Sequence, residues 1–357
     1  MSIFWAILIV LQTATPLQPT QQPSLLSSSE ISQLQTKAKA GDASAQEALG
    51  RAYQKGNGVR QSDELAAQWY RKAADQGDAV AQNDLGIMYR TGAGVEKNKE
   101  EAVKWYRKAA QQGNANALFN LGTAYYNGDG VGPDSLQAYD WFLLADDAGS
   151  ENAHDAVVRT AGELGLRLST QALVEVAEMY ESGRSLRKSY PDAIKWYRKG
   201  VEQKDPVAMV HLAALYINGA AVSADYPQAL ELCKEAALLS PAGKYCFGYM
   251  LQHGLGTAPD PKKAVEMYRV SAEQRNSDSA LALAQMYAKG DGVNVDKVES
   301  FYWFFLASAG GDGSAQKAAA DLLNEMDKKE RKRLDGLLRK NHLDPKYVFE
   351  RVSRKPA

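Results

Sequence analysis

Apolar positions along this chain recur at helical spacing, and the spacing itself recurs. From Ala81, the residues Leu85, Met88 and Tyr89 fall at i, i+4, i+7 and i+8, one face of a helix, with polar residues on the other faces. Gly92 is placed to end that helix in a left-handed conformation that side chains resist, and Gly94 turns the chain. A second helix restarts through Glu100, Glu101, Ala102, Trp105, Tyr106 and Ala109 and stops at Gly113. Gly86 lies inside the first helix, where glycine costs about 1 kcal/mol relative to alanine. The expected reason is close approach of the second helix.

Near-copies of this hairpin fill most of the chain. Tyr53, Tyr89 and Tyr125 are spaced 36 residues apart, and the glycine pair and the Trp-Tyr position align seven units. The Trp-Tyr pairs Trp69-Tyr70, Trp105-Tyr106 and Trp196-Tyr197 have counterparts in Trp141-Phe142 and Trp303-Phe304. Units five and six are degenerate there, with Leu232-Cys233 and Met267-Tyr268. At the mid-helix position only glycine or alanine occurs, which supports the close-approach argument.

One irregularity breaks the period. Tyr125 to Tyr180 is 55 residues, 19 more than the repeat, and the excess predicts one extra helix at about Glu151–Leu164. A further helix is expected at about Ser314–Met326, then an amphipathic capping helix over Asp327–Asn341 with Leu334, Leu337 and Leu338 on one face. Residues after Asp344 are expected to fray. The organisation expected is a first repeat block over 28–166, a second over 167–342 meeting it at a bend, and a basic tail over 343–357. Ser27 and Glu30 have capping-box spacing for the start of the first block.

The unit A-x-x-x-L-G-x-x-Y-x-x-G-x-G-V, then A-x-x-W-Y-x-K-A-A-x-x-G, closely resembles the Sel-1-like repeat (SLR), a relative of the tetratricopeptide repeat. The match covers roughly Ala45 to Gly311. The resemblance implies an all-α, right-handed α-solenoid that acts as an adaptor, often bacterial and often exported. Cysteine-rich relatives that bind or cleave β-lactams carry a cysteine pair in each repeat. This chain has two cysteines in all, so that activity is not carried over.

The ends and the cysteines refine this picture. Ile3–Leu11 is a nearly unbroken apolar run followed by small residues, too short for the ~20 residues of a spanning helix. Residues 1–15 are read as a secretory signal peptide, hence a secreted or periplasmic protein; an uncleaved, membrane-associated segment is the alternative. Residues 16–27 read as a flexible linker. Cys233 and Cys246 lie on consecutive antiparallel helices around Ser240-Pro241. Two buried free thiols are the preferred reading and a disulfide the alternative, which export would favour. Net charge is −1, and the stretch from Asp327 on carries +6. No global field attracts nucleic acid, and the basic tail is read as a solvated face or at most a weak contact with an acidic surface.

Catalytic chemistry is not evident. His154, His211, His253 and His342 lack metal-ligand spacing, and no phosphate-loop, nucleophile-elbow or H-E-x-x-H motif occurs. The expectation is a non-enzyme without cofactor or metal. It binds a partner protein or peptide on the concave face, through positions two, six and nine residues after the fixed alanine. These positions hold Ile87 and Arg90, with Asn83, in repeat two, and Phe119, Thr123 and Tyr126 in repeat three. Repeat five offers Val210, Ala214 and Ile217 with His211 beside them; repeat six offers Tyr245, Tyr249 and Gln252. Local packing against the neighbouring hairpin is the competing reading of the same residues. The alternative functions are an exported hydrolase or carbohydrate-active envelope protein on this scaffold, and a periplasmic regulator of a membrane sensor kinase.

Overall fold

The first helices of six of the seven repeats begin on a capping side chain, and all seven end on a glycine. Asp42, Asp78, Asn114, Asp205 and Asn276 accept hydrogen bonds from the open N–H groups at the helix start. Gly92 closes its helix at φ 83°. The computed structural model describes residues 25–220, 223–310 and 312–353. The segments read as signal peptide and most of the linker lie outside the described residues.

Among the described residues the chain is eighteen helices and no strand. It divides into two compact units on either side of Asn98-Lys99. The first holds α1 (Ser28–Lys39), α2 (Ala43–Lys55), α3 (Asp63–Asp75) and α4 (Ala79–Thr91). Its start is the expected capping box of Ser27 and Glu30, and Ala38, Ala45 and Leu49 form a core with Leu34, Tyr53 and Trp69 around them.

The second unit begins with α5 (Lys99–Gln111), α6 (Ala115–Asn127), α7 (Ser135–Asp147) and α8 (Ala153–Ser182). It continues through α9 (Tyr190–Glu202), α10 (Pro206–Asn218), α11 (Tyr226–Leu239), α12 (Pro241–His253) and α13 (Pro261–Glu273). It ends with α14 (Ser277–Lys289), α15 (Lys297–Ser308), α16 (Gly313–Glu325), α17 (Lys328–Lys340) and α18 (Pro345–Ser353). This is an all-α solenoid of tandem hairpins.

The mid-helix glycines face the aromatic ring of the second helix. A Cβ on Gly50 would stand 2.8 Å from the Tyr70 ring, one on Gly122 2.7 Å from Phe142, and one on Gly248 2.8 Å from Tyr268. These separations are inside van der Waals contact, so the ring occupies the volume a side chain would take. The second glycine of each loop has a role that spacing alone did not show. Gly94 carries φ 66°, and a Cβ there would overlap the carbonyl of Asp63 at the start of the preceding second helix. The lysine of the W-Y-x-K motif covers its own tryptophan: Lys72 Nζ lies 4.1 Å from the Trp69 ring centroid, Lys108 3.9 Å from Trp105 and Lys199 3.7 Å from Trp196.

A second recurring contact joins one hairpin to the next. Arg71 donates to the Tyr89 hydroxyl, Arg107 to Tyr125 (2.5 Å), Arg198 to Tyr216 (2.8 Å) and Arg269 to Tyr287. Each pair is 18 residues apart. The seam between repeats five and six cannot make this rung, because Lys234 and Leu251 stand where arginine and tyrosine do elsewhere. There Cys233 of α11 and Cys246 of α12 are joined as a disulfide, with Cα atoms 5.3 Å apart. The preferred free-thiol reading is therefore corrected. The α11–α12 connection is a single residue, Ser240, which ends one helix and caps the next. That tightness explains Gly243 at the fixed-alanine position, where a Cβ would overlap the Ala236 backbone.

The extra helix is a first helix without its second. Ala153 lies 36 residues after Ala117 and is equally buried. The chain then breaks at Gly165 (φ 75°, ψ 168°), a conformation only glycine takes readily, and the first helix of repeat four follows at once.

The segment after Asp344 is not frayed as expected: it forms α18 through Ser353. Val348 and Val352 are buried, the Phe349 ring meets Phe301 at 6.5 Å, and Gln316 donates to the Arg351 carbonyl. Part of the basic charge is internal as well. Arg333 makes a bidentate bridge to Asp296, the N-cap of α15, and Arg331 donates to the Leu323 and Met326 carbonyls.

Closing a loop of this length should stabilise the fold by about 3 kcal/mol. Chemical denaturation is therefore expected to shift to lower denaturant when the protein is reduced, or when Cys233→Ser and Cys246→Ser are combined. In denaturant no thiol should react before reduction and two should react after it; two reactive thiols without reductant would contradict the pairing.

Candidate partner-binding site

Two of the three reader positions are partly occupied by internal work, and this sorts the candidate residues. Position nine receives the hydroxyl of the second-helix tyrosine. Tyr70 donates to Gln54, Tyr197 to Glu181 (2.6 Å) and Tyr268 to Gln252 (3.1 Å). Burial is the first cause that raises these three phenols above their ordinary range, with nearby carboxylates adding in each case. Where the second helix carries Phe142, Cys233 or Phe304, position nine is Tyr126, Ile217 or Ala288. Ile217 thus matches a partner that has nothing to donate, and packing accounts for it.

In repeat three the candidates are largely engaged. Phe119 and Tyr126 flank the buried Phe142 ring at 5.5 and 6.5 Å. The Tyr126 hydroxyl donates to Glu163 of the extra helix (2.8 Å), and Arg159 lies 5.1 Å from its ring centroid. Thr123 donates to the Phe119 carbonyl. In the first unit Ile87 is half-buried and Arg90 exposed; Asn83 is buried and donates to Asp84.

Repeats four to six leave more surface available. His211 stacks on Tyr197 with centroids 5.3 Å apart, and its ring nitrogens stand 3.7 Å from Glu178 and 3.8 Å from Glu181. Val210 and Ile217 are half-buried, and Ala214 between them is exposed. On α12, Tyr245 rests against Tyr268 at 5.7 Å, whereas Tyr249 is 36% exposed and meets only His253 among aromatic rings of the described residues. A cavity of about 580 Å³ opens beside His211, walled by Glu175, Glu178, Glu181, Tyr190, Arg184 and Lys188 with other residues of the α8–α9 turn.

Behind that cavity is an acid that the sequence reading passed over. Asp140 of α7 is wholly buried, and neither oxygen has a hydrogen-bond partner among the described residues. Burial first, and then the charge of Glu175, push its carboxyl up to about 9. The equivalent residues Lys104 and Lys195 are exposed. The half-repeat explains the difference, because it lets α8 cover a face of α7 that stays open in regular units. The available signal was an acid at a position held by lysine in the repeats on either side.

Among the described residues no group of three or more His, Cys, Asp or Glu is placed to hold a metal ion, and no helix is long and apolar enough to cross a membrane. With this geometry, the comparisons place the chain. The Sel1 repeat model matches residues 43–78, 79–114, 115–150, 170–205, 206–241, 244–276 and 277–312, so the protein belongs to the Sel1 repeat family. The gap over 151–169 is the half-repeat. A protective antigen of uropathogenic Escherichia coli strains with an SLR fold is 29% identical, covering 90% of this chain and 79% of its own, at a TM-score of 0.41. A Sel1 repeat protein from Oxalobacter formigenes is 27% identical over 83% of this chain and 90% of its own, at 0.39. No curated protein matches.

The raised Asp140 has a definite pH signature. Its folded pKa lies above the unfolded value, so the folded state holds a proton that the unfolded state releases, and stability falls as pH rises from about 4 to about 9. Asp140→Asn should unfold with wild type near pH 4. Its advantage over wild type should then widen as pH rises toward 9. Denaturant titrations at both pH values check this, and a gap that does not widen with pH would contradict it.

Proposed function

We propose that this protein is a non-catalytic scaffold that binds a partner protein or peptide on the first-helix face of repeats four to six. The observation that carries the reading is the break in the repeat's own packing rules. Around repeat five, which lacks the second-helix ring, the first-helix face leaves Ala214 and Tyr249 exposed and Val210 and Tyr245 half-buried, next to a polar cavity at His211. Exposed aromatic and aliphatic groups beside a cavity are the usual anchors of protein recognition. Membership of the Sel1 repeat family, whose members are generally protein-interaction scaffolds, supports the same reading. Phe119, Thr123, Tyr126, Ile87 and Arg90 are placed at the margin of the site or outside it.

We further propose two repeat blocks, 28–166 and 167–342, and a secreted or periplasmic location. The Cys233–Cys246 disulfide favours an oxidising compartment over a reducing one.

Affinity capture with the purified chain from an extract of its native source, read by mass spectrometry, tests the function. Tyr249→Ser should reduce recovery of the captured partner about tenfold or more while leaving the melting temperature within 2–3 °C of wild type, as expected for a well-placed interface aromatic. Tyr126→Ser should cost stability and leave capture nearly intact. Equal recovery by the Tyr249 variant would argue against this face.

A further inference from the structure

The cavity beside His211 has a chemical bias that specifies what the partner brings to it. Its helical wall is acidic: Glu175, Glu178 and Glu181 stand at i, i+3 and i+6 on α8. Glu178 is 49% exposed at its side chain and Glu181 34%. Neither is paired with lysine or arginine among the described residues; both face the His211 ring, and Glu181 also accepts from the Tyr197 hydroxyl. The buried carboxyl of Asp140 lies next to Glu175. The basic residues of the cavity belong to the other wall. Arg184 and Lys188 come from the α8–α9 turn, and Lys188 is already 4.7 Å from the Tyr190 ring centroid.

Next to the acidic wall runs the apolar stretch of α10 and α12, with Ala214 and Tyr249 at its exposed crest. α10 and α12 are in direct contact, which sets the two first helices side by side. A side chain entering the cavity meets carboxylates, and its neighbours in sequence meet aliphatic and aromatic groups.

Building on the scaffold reading, we infer that the partner is a peptide segment carrying an arginine or lysine beside a short apolar run. The basic side chain enters the cavity against Glu178 and Glu181, and the apolar residues lie on Val210, Ala214, Tyr245 and Tyr249. Charge complementarity fixes the register and the direction of the segment, and the apolar face holds it. The guanidinium suits the site well, because it can stack on the exposed face of His211 while its N–H groups reach two carboxylates.

The test uses the full chain and three fluorescein-labelled synthetic peptides sharing one run of leucine, isoleucine and tyrosine. One is flanked by arginines, one by glutamines and one by glutamates; binding is followed by fluorescence anisotropy. The arginine peptide should bind tightest, and its affinity should fall as salt rises. Glu178→Gln should weaken the arginine peptide about tenfold and leave the glutamine peptide unchanged. Tyr249→Ser should weaken both. If Glu178→Gln has no effect on the arginine peptide, or the glutamate peptide binds as tightly, the inference is overturned while the scaffold reading stands. If Tyr249→Ser alters none of the three, or none binds, the face itself is wrong and both fall. Both side chains are exposed enough for the variants to fold, and unchanged circular dichroism and melting temperature confirm that each loss is one of binding.

Discussion

The contact between an aromatic ring and a helix position that has no side chain is what the rest of this structure depends on. Gly50, Gly122 and Gly248 leave a hollow in the first helix, and Tyr70, Phe142 and Tyr268 fill it. The ring sets how near the two helices of a hairpin lie. That spacing in turn decides where the tyrosine hydroxyl ends, which residue of the first helix must accept it, and how the next hairpin can dock. The Arg–Tyr rungs follow from the same geometry, since the arginine is adjacent in sequence to the buried ring. A repeat protein grows by copying such a unit, because each copy buries a face that a lone hairpin would leave in water.

Departures from the unit are where this chain becomes particular. Repeat five lacks the ring: Cys233 takes its place, Ile217 takes the place of the hydroxyl acceptor, and the rung to repeat six is lost. A disulfide at that same seam restores a connection. The half-repeat ahead of repeat four brings α8 over Asp140 and lays three glutamates along a cavity. Both departures border the first-helix surface on which Ala214 and Tyr249 are exposed. Natural sequences relax local packing rules most often where function asks for something else.

Much of this was legible in the sequence for a simple reason: a repeated contact leaves a repeated signature. The hairpins, the extra helix and α17 follow from glycine spacing and apolar periodicity. Close approach at the mid-helix glycine could be argued from Gly86 alone, although the ring that causes it could not. What stayed hidden involves single occurrences. Nothing periodic announces Asp140, whose burial comes from an irregular helix placed over it. The fate of residues after Asp344 depended on Val348 and Val352 finding α16, which a nine-residue helix does not advertise. Among the candidate positions, spacing could not separate Tyr126, which Glu163 and Phe142 engage, from Tyr249, which stays exposed.

The most direct measurement of the central claim is a double-mutant cycle between the hollow and the ring. In wild-type background Gly122→Val should destabilise the fold by about 1–3 kcal/mol, the usual cost of overfilling a packed site. With Phe142→Leu already in place the ring is gone, and the same valine should cost far less, giving a coupling of at least about 1 kcal/mol. Equal costs in the two backgrounds would show that ring and hollow act independently, and the account built on their contact would fail.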